Sequence, residues 1–218
     1  MMQFYRRFLA CLALLALVAA APADESADRR AFETGGQPTL VRTGDATRDK
    51  LMSASGDSSG FSFSTREMYS IILYLDEEGA RKAFAPFKGK SPDSLIQDGA
   101  IHQAVLDGEF PKMIVISFTY KRTAREVRED LAEVAGRGLS KKSEFGKLVG
   151  YFRKDLNLGD EAVIRFAPDK VMVTIAGEAM PDIPGRDFAR ALLGVWVGKD
   201  KMSGERGGLL SDAAPLLQ

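Results

Sequence analysis

GDEAVIRFAPDKVMVTIAGEAMPDIPGRDFARALLGVWVGKD, residues 159–200, decides the fold class. Two short runs within it, EAVIRFA and KVMVTIAG, are rich in β-branched residues, and Ala167-Pro168-Asp169-Lys170 joins them with a proline where a turn needs its fixed φ. They read as an antiparallel hairpin. The period then changes: after Pro184 and Gly185, the residues Phe188, Ala191, Leu192, Val195 and Trp196 recur at i, i+3, i+4, i+7 and i+8. That is a helix with one apolar face, and Gly198 can close it in the left-handed conformation. A hairpin feeding a helix, in a chain whose strands and helices alternate only loosely, argues for α+β rather than a doubly wound α/β sheet. Nothing titratable lies on that face, so Trp196, the only tryptophan, is expected at a core edge and at one end of any cleft beneath the helix.

Working outward, Thr123 opens TARE, a capping box in which its hydroxyl and Glu126 satisfy each other's backbone donors. Ala124, Val127, Leu131, Val134 and Ala135 then fall on one helical face, while Glu129-Asp130 reads as solvated helix surface, like Asp76-Glu77-Glu78. A second helix starts at Ser143, with Phe145, Leu148, Val149, Phe152 and Leu156 at spacings of three and four. KMIVISFTYK, 112–121, is a strand, as is Phe61 to Asp76 with its alternating FSFS and apolar YSIILYL. Glu77 to Phe87 and Ser91 to Leu106 each read as one short helix, and Thr39 to Arg42 as a short strand. TGDATRDKLMSASGDSSG, 43–60, is rich in Gly, Ser and Asp, and its composition predicts a long mobile loop walling a site.

The first 23 residues place Arg6 and Arg7 before an apolar run that is too short to span a bilayer, then the small-residue site Ala21-Pro22-Ala23. They predict a signal peptide and export, to a periplasm-like compartment. Residues 24–37 read as a disordered lead-in, 38–211 as the folded domain and 212–218 as a tail. Cleavage removes two arginines, the only cysteine (Cys11) and no acid, so 30 basic against 30 acidic residues becomes 28 against 30. A slightly acidic chain with no basic cluster argues against nucleic acid as a partner and against a polybasic membrane patch.

Without cysteine, thiolate metal sites and disulfides are excluded from the mature chain. A single histidine, His102, builds no multi-histidine centre, and the acidic residues show no ligand spacing. No phosphate-cradling glycine turn is present, so the expectation is no cofactor and no metal. Gly56-Asp57-Ser58-Ser59-Gly60 is one substitution from a serine-protease signature, but His102 follows the serine where that order requires it to precede. Turn residues account for the match.

Arg48 and Tyr69 remain as candidates: a planar, permanently charged fork and a phenolic donor can share one carboxylate or enolate oxygen. By residue type alone a surface arginine and a strand tyrosine are commonplace. The succession of motifs adds weight. The hairpin at Gly159-Asp160, then IPGRDFARALLGVWVGKD and Gly208-Leu209-Leu210, with YSIILYL and EFPKMIVISFTYKRTAREVREDL ahead of them, resembles the chalcone isomerase-like family, especially its bacterial secreted branch, from Pro38 to Leu210.

The resemblance implies a curved antiparallel sheet carrying a layer of helices, with a ligand cleft between them. Enzymes of the family add a phenolate to an enone within one molecule, which needs a cation for the phenolate and hydroxyl donors for the developing enolate. Arg48, in GDATR, matches the family's arginine. Tyr69 stands where the enzymes have threonine, Val127 and Val134 where they have tyrosine and asparagine, and Met180 to Ile183 supply no hydroxyl. The set therefore looks like the fatty-acid-binding relatives, in which Arg48 and Tyr69 would clamp a carboxylate and Val127 and Val134 would line an acyl chain. The expectation is a non-catalytic domain that binds a small amphipathic acid. The alternatives are an intramolecular lyase acting on a small enone, and a periplasmic interaction module without a ligand.

Overall fold

The computed structural model describes residues 38–57, 60–197 and 208–218, so the signal-peptide and lead-in readings and the Gly198 cap lie outside the described residues. The described chain is one α+β unit, Pro38–Gln218. Its sheet is antiparallel and runs β1 (Leu40–Asp57), β2 (Gly60–Asp76), β3 (Lys112–Phe118), β4 (Glu161–Phe166), β5 (Lys170–Ile175) and β6 (Glu178–Ala179), with β7 (Ile183–Pro184) also pairing β5. Between β2 and β3 lie α1 (Glu77–Phe84), α2 (Pro92–Asp98) and α3 (Ala100–Asp107). Between β3 and β4 lie α4 (Ala124–Leu139) and α5 (Ser143–Tyr151), and α6 (Arg186–Val197) follows β7.

Period-two alternation sorts the sheet's two faces. Ile71, Leu73 and Leu75 of β2, Ile114, Ile116 and Phe118 of β3, and Val171, Val173 and Ile175 of β5 join the helices' apolar stripes in one buried core. Tyr74, Met113 and Val163 form a small separate cluster, joined at its edge by Ile72 and Val115. The 159–200 hairpin and helix appear as read, with Trp196 3% exposed.

Three expectations are corrected. The predicted loop 43–60 is instead most of β1 together with the start of β2; β1 pairs with β2 from Leu40↔Asp76 to Asp57↔Gly60. A ladder is made by main-chain donors and acceptors, so an edge strand tolerates small and charged side chains that a buried strand does not. Register shifts between Arg42 and Gly44, Arg48 and Asp49, and Leu51 and Ser53 absorb the irregular residues. The single helix expected over 91–106 is broken at Gly99, whose φ of 75° ends α2. Leu156, assigned to the α5 stripe, instead forms a β-bridge with Arg122.

The closing residues, read as a tail, are packed: Ala213, Leu216 and Leu217 are buried, and the Asp212 amide donates to the Thr43 carbonyl at 2.8 Å. Thr43 Oγ1 donates to the Leu209 carbonyl at 3.0 Å beside Gly44, where a Cβ would stand 1.9 Å from the Gly208 oxygen. Only glycine admits that crossing.

Lys112, at the start of β3, is 5% exposed. Its Nζ donates to the Gly108 and Phe110 carbonyls at 2.6 and 2.8 Å and lies 4.0 Å from the Phe110 ring centroid. No carboxylate offsets the loss of water, and burial pushes its pKa down to about 8. The unfolded chain then holds a proton that the folded chain has released, in the window from about 8 up to the ordinary lysine value. Stability therefore rises with pH across that window, by as much as about 3 kcal/mol at ~1.4 kcal/mol per unit. Urea unfolding of wild type and Lys112→Met between pH 7 and 11 should show this rise in wild type alone; parallel curves would contradict it.

Candidate functional site

Helix α4 sets one wall of the site. Thr123 Oγ1 accepts from the Glu126 amide at 3.3 Å while Glu126 Oε2 accepts from the Thr123 amide at 2.8 Å, so the capping box read from the sequence forms and sets where the helix starts. From that start, Val127, Asp130, Leu131 and Val134 recur at i, i+3, i+4 and i+7 and face one small cavity. Opposite them stand Tyr69 from β2 and Ile116 and Phe118 from β3, and the cavity is completed by Phe152 and Trp196. Tyr69 is 8% exposed, with its ring edge-on to Phe118 at 6.3 Å.

Three of the four expected site residues, Tyr69, Val127 and Val134, thus line the same cavity. The fourth, Arg48, lies on β1 and not on a loop, and it is the direct register partner of Tyr69. The stretch from Met180 to Ile183 does not reach this cavity: Met180 and Pro181 line a separate cleft.

Asp130 corrects the sequence reading. Expected on solvated surface, it is 8% exposed and accepts a hydrogen bond from Arg122 Nη2, on a residue itself 2% exposed. The Arg122 guanidinium also lies 5.5 Å from the Tyr120 ring centroid, and its Nε is 3.9 Å from Glu126. One wall of the cavity is therefore half of a buried ion pair. The signal was present, since Asp130 sits three residues after Val127, within the apolar stripe. Its neighbour Glu129 drew both into one exposed acidic pair, although adjacent helical residues point about 100° apart.

The cavity holds about 20 Å3, room for roughly one water-sized group. Phe152 also lines a neighbouring cleft of about 540 Å3, bounded among others by Leu156, Ile175 and Met180. Phe152, the residue that follows α5, is thus shared by the two cavities. Its carbonyl accepts from Arg128 Nη1 at 2.7 Å, tying it to α4.

Among the described residues no group of three or more His, Cys, Asp or Glu could hold a metal ion, and no helix is long and apolar enough to cross a membrane. His102 is buried in α3, away from the cavity lining. The protease-like Gly56-Gly60 stretch falls where β1 meets β2, with Ser58 and Ser59 outside the described residues.

A family profile described as chalcone isomerase-like matches residues 97–207. Among solved structures, the chain is similar to a fatty-acid binding protein of Arabidopsis thaliana, with a TM-score of 0.63 and 16% sequence identity over 84% of this chain and 92% of that one. At that identity the likeness concerns the fold. No curated protein sequence matches.

Proposed function

Since this chain belongs to the chalcone isomerase-like family, we propose that it is a member that binds rather than converts its ligand, and that the ligand is a fatty acid or a similar amphipathic carboxylate. One observation carries the reading: Tyr69, the register partner of Arg48, shares a single cavity with Val127 and Val134. The cation and the phenol supply a clamp for a carboxylate. The two valines supply methyl groups where cyclisation needs donors to a developing enolate. The loss of even one such donor costs about two to three orders of magnitude in rate, whereas an acyl chain gains about 0.8 kcal/mol per buried methylene against the same surface.

Similarity in fold to a fatty-acid binding protein agrees with this assignment. We further assign residues 1–23 to an export signal, so that the acid is met outside the cytoplasm; the basic, apolar and small-residue order of that segment supports the assignment.

A volume of about 20 Å3 is far below the ~300 Å3 at which small-molecule sites begin. Binding therefore requires the wall to move. Phe152, which lines both this cavity and the neighbouring cleft of about 540 Å3, is the side chain we assign to that movement.

Native mass spectrometry of protein purified from cells, with titration of a dansylated C11 acid, tests the proposal. Wild type should carry or take up the acid, and Arg48→Ala should weaken it by about 30-fold or more, the cost of removing one partner of a desolvated charge pair. A wild-type protein with no affinity for acyl acids overturns the proposal. Chalcone turnover that Arg48→Ala abolishes would establish catalysis instead.

A further inference from the structure

We propose that the acid enters through the cleft between residues 151–160 and 175–181, and that two side-chain ties across its mouth form a latch whose release sets the rate of exchange. This deepens the binding assignment above and rests on it. Every residue lining that cleft of about 540 Å3 comes from one of two banks: the end of α5 with the chain that follows it, and the β5–β6 turn with the chain that follows it. Phe152, Leu156 and Ile175, all buried, give the cleft an apolar base.

Two ties cross from bank to bank. Tyr151 Oη donates to the Pro181 carbonyl at 2.8 Å, and Lys154 Nζ donates to Glu178 Oε2 at 3.0 Å. All four residues line the cleft, and both ties are exposed. The first bank is pinned to the start of α4: Leu156 bridges Arg122, and the Ala124 amide donates to Asp155 Oδ1 at 3.1 Å. It also carries the buried Phe152 and Leu156, whereas residues 176–179 and Pro181 of the second bank are exposed. Lifting the second bank uncovers little apolar surface, so it is the one that yields.

Adjacency selects the route. Phe152 lines both this cleft and the Tyr69 cavity, while the clefts of about 230 and 320 Å3 elsewhere share no residue with that cavity. An exposed hydrogen bond and an exposed ion pair are each weak enough to break as the ligand passes and to reform behind it. A tie made both before and after entry holds the empty and the filled protein equally. Weakening it therefore raises the open fraction of both, and entry and exit quicken together at constant affinity.

Stopped-flow uptake and chase of the dansylated C11 acid, on full-length protein, tests the latch. Tyr151→Phe should speed association and dissociation by about fivefold each, the weight of one hydrogen bond, with Kd unchanged. Glu178→Lys sets two cations across the mouth and should speed both by about threefold. Lys154→Glu/Glu178→Lys remakes the pair with its charges exchanged, and both rates should return to the wild-type values. Unchanged rates in either single variant, faster dissociation alone with a weaker Kd, or a double variant as fast as Glu178→Lys overturns the latch while leaving the binding assignment standing. No uptake by wild type removes both.

Discussion

Trp196→Ala lowers the free energy of unfolding by about 3–5 kcal/mol, the range for truncating a fully enclosed large aromatic. The indole is 3% exposed at the end of α6 and faces Val127, Val134 and Phe152 across the cavity. Removing it deletes apolar contact on several elements at once, and a cavity already bounded by rigid β2 and β3 cannot collapse to refill the space. Urea unfolding followed by far-ultraviolet circular dichroism gives the number, since the variant has no tryptophan to report. Trp196→Phe keeps most of the contact and should cost roughly half as much. A loss under 1 kcal/mol for the alanine variant would mean that the indole is not enclosed as described.

A comparable loss, about 3–5 kcal/mol, is expected for Arg122→Met, for an electrostatic reason. Arg122 and Asp130 are 2% and 8% exposed, and methionine in place of the guanidinium leaves an uncompensated carboxylate inside the α4 wall. The two partners of a buried pair depend on each other far more than the fold depends on the pair. The double variant Arg122→Met/Asp130→Leu should therefore recover most of the stability, because apolar groups of similar volume replace buried ions at little or no cost. Four unfolding curves, wild type, each single and the double, complete the cycle. If the double variant loses as much as the sum of the singles, the pair is not coupled and the description of the wall fails.

The same pair shows where reading from residues alone stops. Hairpin β4–β5 and helix α6 were legible because each is specified locally: a proline turn between two β-branched runs, then an apolar stripe at helical spacing. The capping box was legible for the same reason, all its partners lying within four residues. Strand β1 was not. Its Gly, Ser and Asp residues carry loop propensity, and what holds them extended is a ladder to β2, a partner whose main chain pairs regardless of side chain. Asp130 was not, because its partner Arg122 lies eight residues away, beyond the helix's own start, and a lone acid beside Glu129 looks like surface.

The sequence by itself determined the α+β class, the apolar faces and the family resemblance, and it named Arg48 and Tyr69 as candidates, since composition, period and motif order are properties of short stretches. Only the tertiary structure decided that Arg48 stands on a strand opposite Tyr69, that Tyr69, Val127, Val134 and Trp196 line one cavity, that Phe152 lines both it and a neighbouring cleft, and that a buried carboxylate forms part of its wall. Enclosure and ion pairing depend on which distant segments meet, and that meeting is set by burial of the whole core at once, a global term that no local pattern carries.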